Sequence, residues 1–333
     1  MRFSRTPRRS DTGNLESGFS LDRGRTGREK HYMANMERSK IIGIVGGVGP
    51  YAGLDLSRKV FDQTLASRDQ DHLGVILISW SDLIPDRTEF LLGREKKNPG
   101  MAIVRVIGAL EAAGAEVIGI PCNTAHSPEI FRVIQQIVGK NGKRVKILHM
   151  VEEVAAFVKM QFPAIRKVGI LGTNGTILSD VYAEILEREA LEVFYPTERT
   201  QVQKVHKAIY DEKFGVKAQS FPVTEKARQK ILEAMGELVG AGCEALILAC
   251  TELPLAIPEN VFAGRPVIDA TVVLARALVR EAAPNKLKKI RPLRRVTYKQ
   301  EPMHCFRSES VQAQRVEKIY APHSRSFSSG RFA

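Results

Sequence analysis

Apolar and polar positions along the chain alternate between short β-branched runs and longer helical patterns. Lys40 to Gly46 is a compact apolar run bounded by glycines, which predicts a buried parallel strand. A loop follows to Pro50, then a helix over 52–68 and a second strand from Leu73 to Trp80. The loop from Ser81 to Leu92 carries Asp86-Arg87-Thr88. A helix near 101–113 leads through Gly114 into a strand that ends before Cys122. Ser127 is a natural N-cap, and Pro128 suits the first position of a helix running to about 138. Asn141-Gly142 turns the chain into a strand at 145–149.

The pattern then restarts. Lys167 to Thr176 echoes the first strand and its Gly-rich loop. Ser179 caps a helix to about 189, and Leu191 to Tyr195 is a strand. Helices follow over about 199–211 and 223–240. Ala241-Gly242 turns into the strand before Cys250, Pro266 to Asp269 is the last strand, and 270–283 the last helix. Such alternation implies parallel sheets with helices on both faces. The order of Gly-loop, strand and strand–Cys occurs twice. We read it as two pseudo-symmetric parallel-sheet α/β domains with the active site in the cleft between them, though alternation alone also suits one larger sheet. The first domain comprises 39–150 plus 266–283 and the second 151–265.

Composition sharpens this picture. The chain has 333 residues, of which 44% are apolar and 26% charged, a globular balance. No run of about 18 apolar residues is present, so no membrane span is expected. The net charge of +13 would suggest a polyanionic partner, but it is confined to the ends. Residues 1–40 hold 10 Lys and Arg against 5 Asp and Glu, residues 284–333 hold 12 against 3, and 41–283 hold 28 against 29. The body is neutral, which leaves only weak nucleic-acid or anionic-surface binding, and only through the tails. Both 1–38 and 284–333 read as basic disordered extensions. Asp11, Glu16 and Asp22 count against a transit peptide, and no secretory core is seen. Four cysteines without a CxxC spacing suggest neither a disulfide framework nor zinc, so a cytoplasmic setting without metal is expected.

The candidate chemistry lies at two strand ends. Cys122-Asn123-Thr124-Ala125-His126 and Cys250-Thr251-Glu252-Leu253-Pro254 each follow an apolar strand, 128 positions apart. Ligands bind at such carboxyl ends in open α/β sheets, and a helix N-terminus there favours a thiolate. His126 is a candidate proton shuttle or a structural residue, and Glu252 could orient a thiol or an ammonium group, or cap a helix. Cys243, in a helix-to-strand turn, reads as packing. Gly47-Val48-Gly49-Pro50-Tyr51-Ala52 has the form of a dinucleotide fingerprint, but the acidic residue expected about 20 positions on is missing. Its glycines serve either a tight turn or a carboxylate-holding loop.

Gly46-Gly47-Val48-Gly49-Pro50, Cys122-Asn123-Thr124-Ala125-His126 and Cys250-Thr251-Glu252-Leu253-Pro254-Leu255 together resemble the Asp/Glu racemase superfamily, in particular its aspartate racemase type. The resemblance covers about 41–283. It implies two pseudo-symmetric α/β domains, often in a homodimer. It also implies racemisation without pyridoxal phosphate, metal or another cofactor, with Cys122 and Cys250 acting on opposite faces of Cα. Arg87, in Pro85-Asp86-Arg87-Thr88, and Lys217, in Gly215-Val216-Lys217-Ala218, match the positions associated with a substrate side-chain carboxylate. Gly53 and Ala249 depart from the usual Thr and Gly of the family.

The chemistry accounts for these residue types. Racemisation takes a weakly acidic proton from one face of Cα and returns one to the other, and two cysteines do this without a base having to swing across the substrate. Asn123, Thr124, Thr251 and the Gly46 and Gly47 amides are the expected donors to the α-carboxylate, where charge develops. The resemblance thus implies a small-molecule amino-acid substrate, aspartate or glutamate. The alternatives are a maleate isomerase-like two-cysteine enzyme, a one-cysteine arylmalonate-type decarboxylase, or an NAD-binding oxidoreductase.

Overall fold

The glycine-bounded apolar runs pair into two sheets of the same winding. In the computed structural model, which describes residues 39–140 and 145–290, β1 (Ile42–Gly46) lies between β2 (Val75–Ser79) and β3 (Val117–Gly119). β4 (Lys146–Ile147) extends that sheet beyond β3, and every pairing is parallel. In the second sheet β5 (Lys167–Gly172) lies between β6 (Glu192–Phe194) and β7 (Ala245–Ala249). After the short β8 (Val261–Phe262), β9 (Arg265–Asp269) runs parallel to β7, and β8 pairs antiparallel on its outer edge. The orders β2-β1-β3-β4 and β6-β5-β7-β9 are one topology used twice, so the loops after β3 and β7 are equivalent positions.

The helices are α1 (Pro50–Gln63), α2 (Arg87–Leu91), α3 (Pro99–Ala112), α4 (Pro128–Lys140), α5 (Met150–Gln161), α6 (Asn174–Leu178), α7 (Val181–Arg188), α8 (Glu198–Thr200), α9 (Lys207–Tyr210), α10 (Glu225–Gly240), α11 (Leu253–Ala256) and α12 (Ala270–Ala282). Strand alternation divides the core. Ile44, Ile170 and Ile247 point to a central layer, where they meet Leu56 of α1, Val154 of α5, Leu186 of α7 and Leu274 of α12. Val45 and Ile118 face outward onto Ile107 and Ile134, and Leu246 and Leu248 face Ile231 and Leu238. The two halves therefore share one apolar layer, and residues 39–290 belong to one compact unit.

Several boundaries differ from the sequence reading. The segment 266–283 was expected in the first half, but its strand hydrogen-bonds to β7 of the second sheet, while α12 packs on α1 and α5. Helix α5 was not foreseen. Ser179 does not start a helix; it ends α6, and α7 begins after Asp180 in left-handed backbone (φ 49°). Ser127 does not cap α4 through its hydroxyl, which has no partner. Residues 284–290, read as tail, fold back: Leu287 bridges Thr64, and Lys288 N donates to the Gln63 carbonyl at 2.9 Å. The predicted Asn141-Gly142 turn, the extension 1–38 and the tail beyond 290 lie outside the described residues. No helix among the described residues is long and apolar enough to cross a membrane.

Candidate active site

The equivalence of the two strand ends brings the cysteines to one cavity. Cys122 lies in extended backbone three residues beyond β3 and opens a short 3-10 turn, Asn123–His126. The long helix α4 starts at Pro128, as the sequence predicts, with this turn between it and Cys122. Cys250 follows β7 directly, and Glu252 stands at the start of α11. Arg87, Asn123, Thr124, Lys217, Thr251 and Glu252 line the same cavity as Cys122 and Cys250. Gly46 and Gly47 do not. Gly47, in left-handed backbone (φ 82°), lies against the Trp80 main chain, which a Cβ would meet at 2.6 Å, so these glycines serve a tight turn. Gly49 is the glycine that reaches the site: a Cβ there would stand 2.7 Å from Glu252 Oε1.

Local structure aims each cation. Asp86 caps α2, accepting from Thr88 N at 2.7 Å and Glu89 N at 3.0 Å, which fixes Arg87 in the first turn. The Arg87 guanidinium donates to the carbonyls of Val48 and Pro85, while its buried Nε has no partner. Burial opposes its charge, but Cys122, Asp86 and Tyr210 hold it above the usual range. Lys217 is delivered by a chain reversal after α9, where Gly215 approaches the Asp211 backbone too closely for a Cβ. Its N–H donates to the Ile209 carbonyl at 3.1 Å.

The two cysteines have opposite electrostatic neighbours. Arg87 stands beside Cys122, whereas Cys250 Sγ donates to Glu252 Oε2 at 3.0 Å. The other Glu252 oxygen accepts from Lys217 Nζ at 2.9 Å, and Thr251 Oγ1 donates to Oε2 at 3.2 Å. Burial alone would raise the Glu252 pKa, but Lys217, the Cys250 S–H and Arg87 hold it down at about 2. Burial and the Glu252 charge push the Cys250 thiol well above its ordinary range. Burial also opposes the Lys217 charge, which Glu252 and then Tyr210 nevertheless keep well above the usual lysine range.

Hydroxyl groups close the rest of the cavity. Thr124 lies 2.8 Å from Thr176 and 3.2 Å from Thr173, and Thr88 donates to Thr173 at 3.3 Å. Tyr210 donates to Thr88 at 3.0 Å, and its ring lies 5.3 Å from Lys217 Nζ. Gly175 permits this meeting of the halves, because a Cβ there would strike Thr88 at 2.9 Å. Thr88, Thr173 and Tyr210 line the cavity but were not named from sequence. The echo of the first Gly-rich loop at 172–176 was the only signal for Thr173. The free space amounts to ≈ 10 Å³, about one water.

His126 does not reach the cavity. Its Nδ1–H donates to the Cys122 carbonyl at 2.9 Å, its ring stacks on Phe131, and burial with the neighbouring His149 lowers its pKa to about 3. It is a neutral support for the Cys122 backbone.

The chain is similar to several known amino-acid racemases. A broad-specificity amino-acid racemase, RacX, of Bacillus subtilis (strain 168) is 30% identical over 246 residues, 72% of this chain and 96% of the relative. The solved structure of the Picrophilus torridus aspartate racemase shares 30% identity with a TM-score of 0.61, covering 75% of this chain and 96% of that one. PH1733, an aspartate racemase homologue from Pyrococcus horikoshii OT3, shares 26% identity with a TM-score of 0.56, covering 73% and 99%. The profile of the family described as Asp/Glu/Hydantoin racemase matches residues 45–278, so the chain belongs to that family and is a pyridoxal-phosphate-independent racemase or isomerase.

Proposed function

We propose that the enzyme racemises an acidic α-amino acid, aspartate or glutamate, by proton transfer between Cys122 and Cys250. The observation that carries this reading is the charge inventory of one cavity: two cations, Arg87 and Lys217, and one anion, Glu252, beside both cysteines. An acidic amino acid brings the complement, two carboxylates and one ammonium. Its ammonium replaces Lys217 on Glu252, and a carboxylate takes the released Lys217 and the open Nε of Arg87. Glu252 then has a cationic partner before and after binding. A dicarboxylate without an ammonium, such as maleate, would leave Glu252 unpaired, which disfavours the maleate isomerase-like reading.

In this mechanism a Cys122 thiolate, complemented by Arg87, removes the Cα proton from one face. The electron pair spreads into the α-carboxylate, held by donors on Asn123 and Thr124. Cys250 then gives its S–H proton to the opposite face and becomes the thiolate. The broad-specificity relative and the aspartate racemase relative leave the side chain open, and the cation pair argues for an acidic one. The test is a panel of L-amino acids and maleate in deuterated water without added cofactor. Deuterium incorporation with inversion of aspartate or glutamate is expected. Turnover of neutral amino acids alone, or isomerisation of maleate, would overturn the assignment.

A further inference from the structure

We infer that Tyr182 is a positioning residue that fixes the side-chain amide of Asn123 so that its N–H donors face the reacting α-carboxylate. This rests on the racemase reading above. Asn123 follows Cys122 and is 1% exposed. Its Oδ1 accepts the Tyr182 phenol at 2.6 Å, while its Nδ2 has no partner and the residue lines the cavity. A buried amide nitrogen left without an acceptor is costly unless a ligand supplies one. The acceptor that fits is a substrate oxygen beside Cys122.

Tyr182 decides which end of the amide faces the cavity. A flipped amide would donate Nδ2–H to the phenol oxygen and present a carbonyl to the substrate carboxylate. The phenol hydrogen would then lose its acceptor on a fully buried ring. Burial, with Tyr195, Cys250 and Asp269 adding to it, pushes the Tyr182 hydroxyl well above its ordinary range, so it remains a donor through the cycle. The arrangement also crosses the molecule: Tyr182 is on α7 of the second half and Asn123 follows β3 of the first. The second half thereby orients a donor beside the first half's cysteine. The carboxylate gains charge as the Cα proton leaves, so the donor matters more in the transition state than in the bound substrate.

The test is a double-mutant cycle of Tyr182→Phe and Asn123→Ala, read as kcat and KM separately, with thermal unfolding of all four proteins. Asn123→Ala removes one such donor and should lower kcat by about 10²- to 10³-fold. Tyr182→Phe should lower kcat about tenfold or more, with KM nearly unchanged, and should have no further effect on kcat in the Asn123→Ala background. A purely packing role for the phenol predicts the same loss in both backgrounds, or none in either, and either result overturns the proposal. One readout needs no turnover. The Asn123 side-chain amide resonances, identified by their loss in Asn123→Ala, should be one sharp pair in the wild type and split or broadened in Tyr182→Phe. An unchanged pair overturns the positioning role. Absence of α-proton exchange in the wild type would instead sink the racemase reading, with the amide resonances still deciding the role of Tyr182.

Discussion

Lys217 Nζ sits 2.9 Å from Glu252 Oε1, and the same carboxylate accepts the Cys250 S–H at 3.0 Å. Glu252 has its folded pKa depressed to about 2, so its contribution is complete above the unfolded value and is lost as pH falls. That contribution is roughly 3 kcal/mol, fading between about pH 5 and pH 2. Lys217 has a raised pKa, so its share persists up to the ordinary lysine range and is lost above it. Glu252→Gln should flatten the acid limb of stability against pH. At pH 7 it should lose about 3 kcal/mol, because the largely buried Lys217 is left without its anion. Adding Lys217→Met should restore most of that stability and none of the activity. Urea unfolding across pH reads all three, and an unaltered acid limb in Glu252→Gln would remove the pair from the stability argument.

Gly49 provides a steric test of the same carboxylate. Its backbone is extended, with φ −171°, so alanine meets no conformational barrier there. The added Cβ would nevertheless press on Glu252 Oε1, which Lys217 already holds while Cys250 holds Oε2. Gly49→Ala should leave the melting temperature within a few degrees and reduce turnover about tenfold or more, the loss expected when a catalytic group moves by a fraction of an ångström. Normal turnover would mean that the position of Glu252 does not matter.

Much of the architecture is legible because it rests on local pattern. β-branched runs between glycines mark β1 and β5, and the matching strand ends of Cys122 and Cys250 follow from counting elements. What escapes has no local signal. Helix α5 has the right apolar spacing, but its cap acceptor is His149 Nδ1, 3.3 Å from Glu152 N, where Ser, Thr, Asp or Asn would announce a start. Tyr182 and Tyr210 matter through partners dozens of residues away. Gly46 and Gly47 show the converse: a glycine needed for a close turn against Trp80 has the same sequence signature as one that opens a ligand loop.

The folded boundary extends past Ala283. Leu65 N donates to the Lys286 carbonyl at 2.7 Å, Arg276 donates to the Lys288 carbonyl at 3.0 Å, and Leu287 packs on the central apolar layer. A chain of residues 39–290 should therefore fold with full turnover. One ending at 283 should be less stable by about 2 kcal/mol, or roughly 4–8 °C in melting temperature. Equal melting temperatures would show that 284–290 add nothing.

If Arg87 holds the side-chain carboxylate, its loss shows in apparent affinity, apart from any effect on kcat through Cys122. Its unpaired Nε and buried charge suit a carboxylate, and one charge-assisted hydrogen bond is worth roughly 1.5–3 kcal/mol. Arg87→Ala should weaken aspartate or glutamate about ten- to a hundredfold in apparent affinity, and alanine or serine far less. Arg87→Lys, which keeps the charge without the planar fork, should fall between. Equal losses on acidic and neutral amino acids would leave Arg87 a structural donor to Val48 and Pro85.

The two cysteines should differ in how they fail. If each serves one face of Cα, Cys122→Ala and Cys250→Ala both abolish inversion, while Cys243→Ala alters stability alone. Each single variant retains one thiol that can exchange the Cα proton on its own face with deuterated solvent, so the two should label opposite enantiomers. Their rates should not match. In Cys250→Ala the surviving Cys122 stands beside the Arg87 cation. In Cys122→Ala the surviving Cys250 donates its proton to Glu252, a carboxylate too acidic to take it, and both burial and that charge oppose the thiolate. Exchange should therefore be faster in Cys250→Ala, and the rate in Cys122→Ala should climb steadily with pH as the Cys250 thiolate becomes accessible. Adding Glu252→Gln to Cys122→Ala removes the opposing anion and should speed its exchange in spite of the lost stability. Near-normal inversion in either folded variant would dismiss the two-base mechanism. Labelling of the same enantiomer by both would show that the cysteines do not face opposite sides of the substrate.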